Sequence, residues 1–317
     1  MWGSRQGLSR ARASGLYRMR VVITGGSKGI GRACVEAFAK AGAQVLFTFN
    51  SASQDQVEAV EAAYGEIVKG AALDQGNFAS VRAFAEVVSN WCDGEPLDVL
   101  VNNAALGSVT VENYSDGNEG NTCEGCKAAR GGSIDDAVAV RAREDEAMLK
   151  VNALGPVWVT EALIPFMRKK PSQKTPNPRS TTVFIGSVGG GSQSVFHPYR
   201  VSDAMSKAAL SYAVKCFAAK HVHDELDFLM LSPGATHTAM FQASTLEGMN
   251  DAERNEFTAR LPKKRLIDPA EVAEAVLWLA TARSSRMFHG GVLDASQGLA
   301  VRPGLLSEWS ASSGMSN

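Results

Sequence analysis

The residues Thr24-Gly25-Gly26-Ser27-Lys28-Gly29-Ile30-Gly31 have the types and spacing to bind a pyrophosphate through backbone groups. Gly25 permits a tight turn, Gly29 lets backbone N–H groups approach the phosphates, and Gly31 lets a following helix pack close to the preceding strand. The apolar run Val21-Val22-Ile23 before the turn reads as a buried strand. The segment after it, Arg32 to Ala43, carries Ala33, Cys34, Ala37, Phe38 and Ala41 on one helical face. Strand, glycine turn and helix in that order place an anion at a helix N-terminus, where unpaired N–H groups and the dipole favour negative charge. A glycine cluster alone could be a structural turn; its flanking strand and helix favour a nucleotide.

The elements that must position this turn alternate along the whole chain. Strand-like runs occur at Arg20–Thr24, Gln44–Phe49, Val68–Leu73, Leu97–Asn102, Thr181–Ile185, Asp227–Leu231 and Gly291–Asp294. Helical patterns lie between them at Asp55–Ala63, Asn77–Trp91, Asp145–Lys169, Asp203–Lys220 and Pro269–Ala280, the last with Asp268 as cap and Pro269 in its first turn. Such alternation predicts an α/β fold, a doubly wound parallel sheet of about seven strands with helices on both faces. Two segments interrupt it. Residues 107–143, rich in Gly, Asn, Asp and Glu, read as an inserted surface loop dispensable for chemistry, and Pro171–Ser180 reads as a second loop.

Composition sets the outer limits. A chain of 317 residues, 45% hydrophobic and 21% charged, can bury one large core and reads as soluble. A net charge of -1 gives no footprint for nucleic acid or an acidic membrane surface. No apolar run approaches the length that spans a bilayer. The 5 cysteines, an odd number, favour a reducing compartment over a disulfide framework. Residues 1–18 contain arginines and serines but no acid, as in an organelle transit peptide; a disordered extension ahead of a true start at Met19 is the alternative. The expected layout is therefore this extension, one domain over 19–302, and a tail over 303–317. The expected location is the cytoplasm, or a mitochondrion or plastid if 1–18 are a transit peptide.

In motif order the chain resembles the classical short-chain dehydrogenases/reductases over about Met19 to Ala300. The family's Thr-Gly-x-x-x-Gly-x-Gly turn matches Thr24–Gly31, and its adenine-holding acid after the third strand matches Asp74. Its Asn-Asn-Ala-Gly motif appears as Asn102-Asn103-Ala104-Ala105, with alanine in place of glycine. The active-site asparagine matches Asn152, and the serine after strand five matches Ser187 in Ile185-Gly186-Ser187-Val188-Gly189. Pro233-Gly234-Ala235-Thr236-His237-Thr238 matches the Pro-Gly motif that lines the nicotinamide. The resemblance thus implies a Rossmann fold and a cofactor site formed by Thr24, Gly25, Ser27, Lys28, Gly29, Ile30, Gly31, Asn50, Asp74, Asn102, Asn103, Ala104, Lys207, Pro233, Gly234, Thr236 and Thr238.

The chain departs from the family at the catalytic tyrosine, which the family places four residues before a lysine so that both project from one helix face. In the family the lysine lowers the tyrosine pKa and holds the nicotinamide ribose, while the tyrosine exchanges a proton with the substrate oxygen. Here Ser206-Lys207-Ala208 matches the lysine end, but Asp203 stands at the tyrosine position and the nearest tyrosine is Tyr199. Three readings follow. Tyr199 folds back from an irregular helix entrance at His197-Pro198 and donates the proton; Asp203 acts as acid/base, which requires its carboxyl to be raised; or the chain binds a dinucleotide without turnover, as a sensor or assembly partner.

The second strand ends in Phe49-Asn50-Ser51, with no acid to repel a 2′-phosphate, and Lys28 resembles the basic residue of NADP-using relatives. NADP is therefore expected over NAD, with a solvated surface lysine as the plainer account of Lys28. Cys123 and Cys126 have metal-like spacing but no completing ligands, so no metal site is expected. His221 and His223 suit a helix C-terminus. Met240, Phe241, Leu246, Met249, Phe257 and Leu261 either cover an apolar substrate or form ordinary packing. The expected activity is NADPH-dependent reduction of a small-molecule carbonyl, a ketone or 3-oxoacyl group, or oxidation of the alcohol. Asn152, Ser187, Tyr199 and Lys207 would be the catalytic residues, with Asn152 anchoring a relay water. Neither nucleic acid nor membrane is an expected partner; the resemblance implies a homo-oligomer, dimer or tetramer.

Overall fold

The computed structural model describes residues 19–52, 54–107, 110–111, 114, 134–169, 179–191 and 200–302. The expected N-terminal extension and C-terminal tail, the Cys123/Cys126 pair and Tyr199 lie outside them.

The strands are β1 (Arg20–Ile23), β2 (Gln44–Phe49), β3 (Val68–Ala72), β4 (Val99–Asn102), β5 (Ser180–Ile185), β6 (Leu226–Pro233) and β7 (Val292–Ala295). They form one 7-stranded parallel sheet in the order β3-β2-β1-β4-β5-β6-β7. The central strands are buried on both faces, which is why Val99-Leu100-Val101 of β4, Val183-Phe184-Ile185 of β5 and Phe228-Leu229-Met230-Leu231 of β6 are continuous apolar runs rather than alternating ones.

Because side chains alternate across a strand, neighbours in β1 enter different cores. Val21 and Ile23 join Phe38 and Val276 on one face, while Val22 joins Phe84, Leu163 and Phe217 on the other. The first core is roofed by α1 (Gly29–Lys40), α2 (Gln54–Tyr64) and α8 (Pro269–Thr281). The second is roofed by α3 (Phe78–Cys92), α5 (Gly155–Met167) and α6 (Val201–Lys220). Two further helices are α4 (Ile134–Leu149) and α7 (Asp251–Arg260). Asp268 caps α8 as expected, in a reciprocal pair with Glu271.

The sequence-based helix at Asp145–Lys169 is divided. Between α4 and α5 the chain makes a π-helical turn, Lys150–Leu154, around Asn152. Residues 134–143, read from sequence as part of a surface loop, are instead the first turns of α4. Their charged residues suggested a loop, yet the Ala and Arg among them are also strong helix formers. Cys34 and Cys92 are free thiols within the cores, and burial pushes them up to about 12 and about 11, so they are neutral and unreactive at physiological pH. Among the described residues no helix is long and apolar enough to cross a membrane.

Candidate active site

Strand order reverses between β1 and β4, the point at which doubly wound sheets form a ligand crevice beyond the C-terminal ends of their strands. The register Ile23↔Val101 brings the glycine turn beside the Asn102-Asn103-Ala104 segment. Gly25 and Gly29 have φ of 68° and 57°, a region that side-chain-bearing residues rarely adopt. A Cβ on Gly31 would strike the Gly25 carbonyl oxygen, so the helix can approach the turn only with glycine there. Gly26 is equally constrained, since its Cβ would overlap Phe47 and Val35, although the sequence reading assigned it no role.

Helix α1 starts directly at Gly29. Its N-cap, Lys28, makes no side-chain cap, and no acid stands in the first turn. Its first amides therefore retain the donor capacity and partial positive charge that suit an anion. Beside Gly29 lies Thr238, whose methyl carbon would be 3.5 Å from an added Cβ. This backbone cradle fits the pyrophosphate of a dinucleotide. Asn50, which follows β2, and Lys28, the N-cap of α1, are both exposed.

Several side chains expected at the cofactor instead hold the cradle together. Asn103 Nδ2 donates to the carbonyls of Thr24 (2.9 Å) and Gly25 (3.1 Å), and Thr24 Oγ1 accepts from the amides of Asn103 (2.9 Å) and Ala104 (3.0 Å). Asn102 is buried and donates to Thr160 Oγ1 at 2.9 Å. The side-chain amide nitrogens of Asn102 and Asn103 and the Thr24 hydroxyl thus make bonds within the protein that support the cradle. Thr236 is likewise buried, with its hydroxyl on the Gly234 carbonyl at 2.9 Å. A Cβ added at Gly234 would lie 3.0 Å from Ser296 Cα, so the segment packs closely there.

Asp74, after β3, accepts through Oδ1 from the Gly76 amide and from the Tyr114 hydroxyl, both at 2.9 Å. Next to it, the buried Gln75 amide donates to the Ala104 and Val151 carbonyls, both at 2.8 Å. Gln75 thereby ties the exits of β3 and β4 to the π-helical turn. No sequence motif points to it, since its partners come from distant segments.

The Asn152 side chain clamps Leu106, accepting from its amide at 2.7 Å and donating to its carbonyl at 2.9 Å. Its side-chain amide is therefore committed to holding the loop after β4. A π-helical turn loosens the regular ladder and so makes backbone carbonyls more available.

Ser187 follows β5 and accepts from the Gly189 amide at 3.2 Å. The turn Val188–Gly191 packs on the start of α6, where a Cβ on Gly190 would strike the Ala204 carbonyl. Ser187 is thus held beside the first turn of α6, which carries Asp203 and Lys207 one turn apart. Lys207 is buried, which lowers its pKa despite the opposing charge of Asp203. Burial raises the Asp203 carboxyl, and Lys207 and Arg200 only partly offset this.

Arg200 is the N-cap of α6. The guanidinium of Arg200, 6% exposed, donates to Glu144 at 2.7 Å and Asp145 at 3.0 Å, fastening α6 to α4. Sequence reading missed this network because its partners lie 55 and 56 positions apart. Beyond the Pro-Gly segment, Leu246, Phe257 and Leu261 form a small core with Ala235, the ordinary-packing alternative for these three. Met240 instead reaches Gly107, at whose Cβ its Cγ would stand 2.9 Å away.

The family models "short chain dehydrogenase" and "Enoyl-(Acyl carrier protein) reductase" match residues 19–124 and 126–300. A 3-oxoacyl-[acyl-carrier-protein] reductase of Vibrio harveyi is 27% identical over 266 residues, 83% of this chain and 90% of that protein. A galactitol 2-dehydrogenase of Rhizobium johnstonii is 29% identical over 290 residues, 88% of this chain and 94% of that one. In fold, the chain is similar to the Pseudomonas aeruginosa RhlG/NADP complex, with TM-score 0.69, 22% identity and coverage of 89% and 96%. It is also similar to the NAD complex of a Brucella melitensis 3-oxoacyl-[acyl-carrier protein] reductase, with TM-score 0.69, 22% identity and coverage of 90% and 98%. With both family models spanning the described core and the sheet reversing beside a glycine cradle, the chain belongs to the short-chain dehydrogenase/reductase family and is an NAD(P)-dependent oxidoreductase.

Proposed function

We propose that this chain reduces a medium-sized, mostly apolar ketone or 3-oxoacyl substrate with NADPH in preference to NADH. The observation that carries the reading is the uncapped, acid-free N-terminus of α1 facing the same crevice as the exits of β4 and β6. Exposed Lys28 and Asn50 support the preference for a 2′-phosphate, and the named activity of the Vibrio harveyi relative supports the substrate class. A bound nicotinamide supplies hydride to the carbonyl carbon. Ser27, Gly29, Ile30, Gly31 and Thr238 hold the phosphates, Asp74 holds the adenine, and Pro233 and Gly234 border the nicotinamide. Lys207 holds the ribose. Ser187 donates a hydrogen bond to the substrate oxygen, and Tyr199 delivers the proton that completes the alcohol, with the Asn152 backbone anchoring the relay water.

A second assignment of the proton step has its own support. Asp203 occupies the position that Lys207 defines, and its burial-raised carboxyl is the shift an aspartic acid needs to donate. A panel of carbonyl compounds with NADPH, run on Tyr199→Phe and Asp203→Asn, tests the assignment. Loss of a positioned acid is expected to slow Tyr199→Phe on the order of 100-fold or more, with NADPH affinity kept and a milder effect in Asp203→Asn. The reverse ranking assigns the proton to Asp203. Turnover of no compound, with neither variant altering any rate, returns the chain to a silent binder.

Residues 19–302 act in this reading as one domain, in the cytoplasm or in an organelle reached through residues 1–18. Self-association is supported by one face of α6, where Val201, Met205 and Tyr212 are 69%, 52% and 70% exposed.

A further inference from the structure

Tyr114 stands far from the glycine turn in sequence and belongs to none of the motifs above. Its hydroxyl donates to Asp74 Oδ1 at 2.9 Å, the same oxygen that accepts the Gly76 amide at 2.9 Å. The Asp74 backbone amide is meanwhile held by Ser80 Oγ at 3.0 Å. Two donors on one oxygen fix the rotation of the carboxylate and direct the second oxygen elsewhere; among the described residues Oδ2 has no hydrogen-bond donor. Gly76 independently marks this contact, because a Cβ there would strike the Tyr114 hydroxyl. Tyr114 is anchored as well, packing against the small core of Val111, Ala147 and Met148.

We propose that Tyr114 is a positioning residue that turns Asp74 Oδ2 toward the 6-amino group of the cofactor's adenine, so that the segment after β4 sets selectivity for the purine base. The proposal rests on the dinucleotide reading and on Asp74 as the adenine partner. An ionised carboxylate only accepts hydrogen bonds, so it suits the amino group of adenine and opposes the 6-oxo group of hypoxanthine. A freely rotating carboxylate would retain part of that preference, and one held by Tyr114 would retain all of it.

The test titrates NADPH and its hypoxanthine analogue, which carries oxygen in place of the 6-amino group, by nicotinamide fluorescence. Wild type is expected to bind NADPH more tightly than the analogue. Tyr114→Phe should weaken NADPH by about three- to tenfold, the scale of one lost hydrogen bond, and leave the analogue unchanged. Gly76→Ala keeps the hydroxyl but displaces it, and should show the same selective loss. In an Asp74→Ala background, Tyr114→Phe should add nothing, because its effect passes through the carboxylate. An unchanged ratio in Tyr114→Phe, or equal weakening of both ligands, overturns the proposal while leaving NADPH binding by wild type intact. A wild-type protein without affinity for NADPH overturns the dinucleotide reading and this proposal together.

Discussion

The glycine turn after β1 and the first turn of α6 face one crevice but are held in different ways. The turn is held by backbone geometry: positive φ at Gly25 and Gly29, no room for a side chain at Gly31, and Asn103 bonded to the carbonyls of Thr24 and Gly25. The start of α6 is held by charge, through Arg200 on Glu144 and Asp145, with half-buried Asp203 and buried Lys207 above it. Backbone geometry permits few residue types, so the first region keeps its family pattern. A charge network accepts rearranged side chains provided each has a partner, and here the pattern has shifted. Constraint on the backbone preserves a motif; constraint through side-chain pairs lets its members move.

The largest expected effect breaks the backbone half. Gly29→Val places a β-branched residue at φ 57° and fills the space facing Thr238. NADPH affinity should fall on the order of 100-fold or more while circular dichroism stays near wild type. Affinity within a few-fold of wild type would mean that the phosphates lie elsewhere.

Arg200→Met tests the charge-held half. It leaves Glu144, 13% exposed, without its cation and should cost about 3 kcal/mol by urea unfolding. Against the opposing pull of burial, the Ser202 hydroxyl and then Arg200 depress the Asp145 carboxyl below its ordinary 3.8, so stabilisation from that carboxylate is present above 3.8. It is lost as pH falls through the folded value, and the gap between wild type and variant should narrow there. A gap that widens toward acid would contradict the pairing.

Gln75→Leu, between the two halves, removes the donor of the buried Val151 carbonyl and the part-buried Ala104 carbonyl and should cost about 2 kcal/mol, measured as a lower urea midpoint at unchanged m. The smallest effect is on Asp203→Asn. Because burial raises the folded-state carboxyl, the ionised form costs stability above that value and the protonated form costs none below 3.8. The variant should melt slightly higher than wild type at neutral pH, with the difference vanishing as the pH falls toward 3.8. A lower melting temperature at neutral pH would show that the Asp203 charge is stabilising.

How much of the site was legible follows from these contrasts. Gly25, Gly29 and Gly31 announce themselves because a fixed spacing encodes a local turn between a strand and a helix. Asp74, Asn152 and Ser187 were legible through motifs, yet the partners that orient them were not. Tyr114 reaches Asp74 across 40 positions, and Gln75 reaches Val151 across 76, distances over which no periodicity operates. The start of α4 was misread because its charged residues serve a solvated helix as well as a loop.

The sequence by itself determined the strand and helix alternation, the parallel class of the sheet and the location of the glycine turn between β1 and α1. Each depends on local periodicity or on steric demands within a few residues. Tertiary structure alone decided which motif asparagines support the cradle rather than face it, since hydrogen bonds join side chains to distant backbone. It also decided the protonation tendencies of Asp203 and Lys207, because desolvation depends on what the fold packs around a charge and not on its neighbours in the chain.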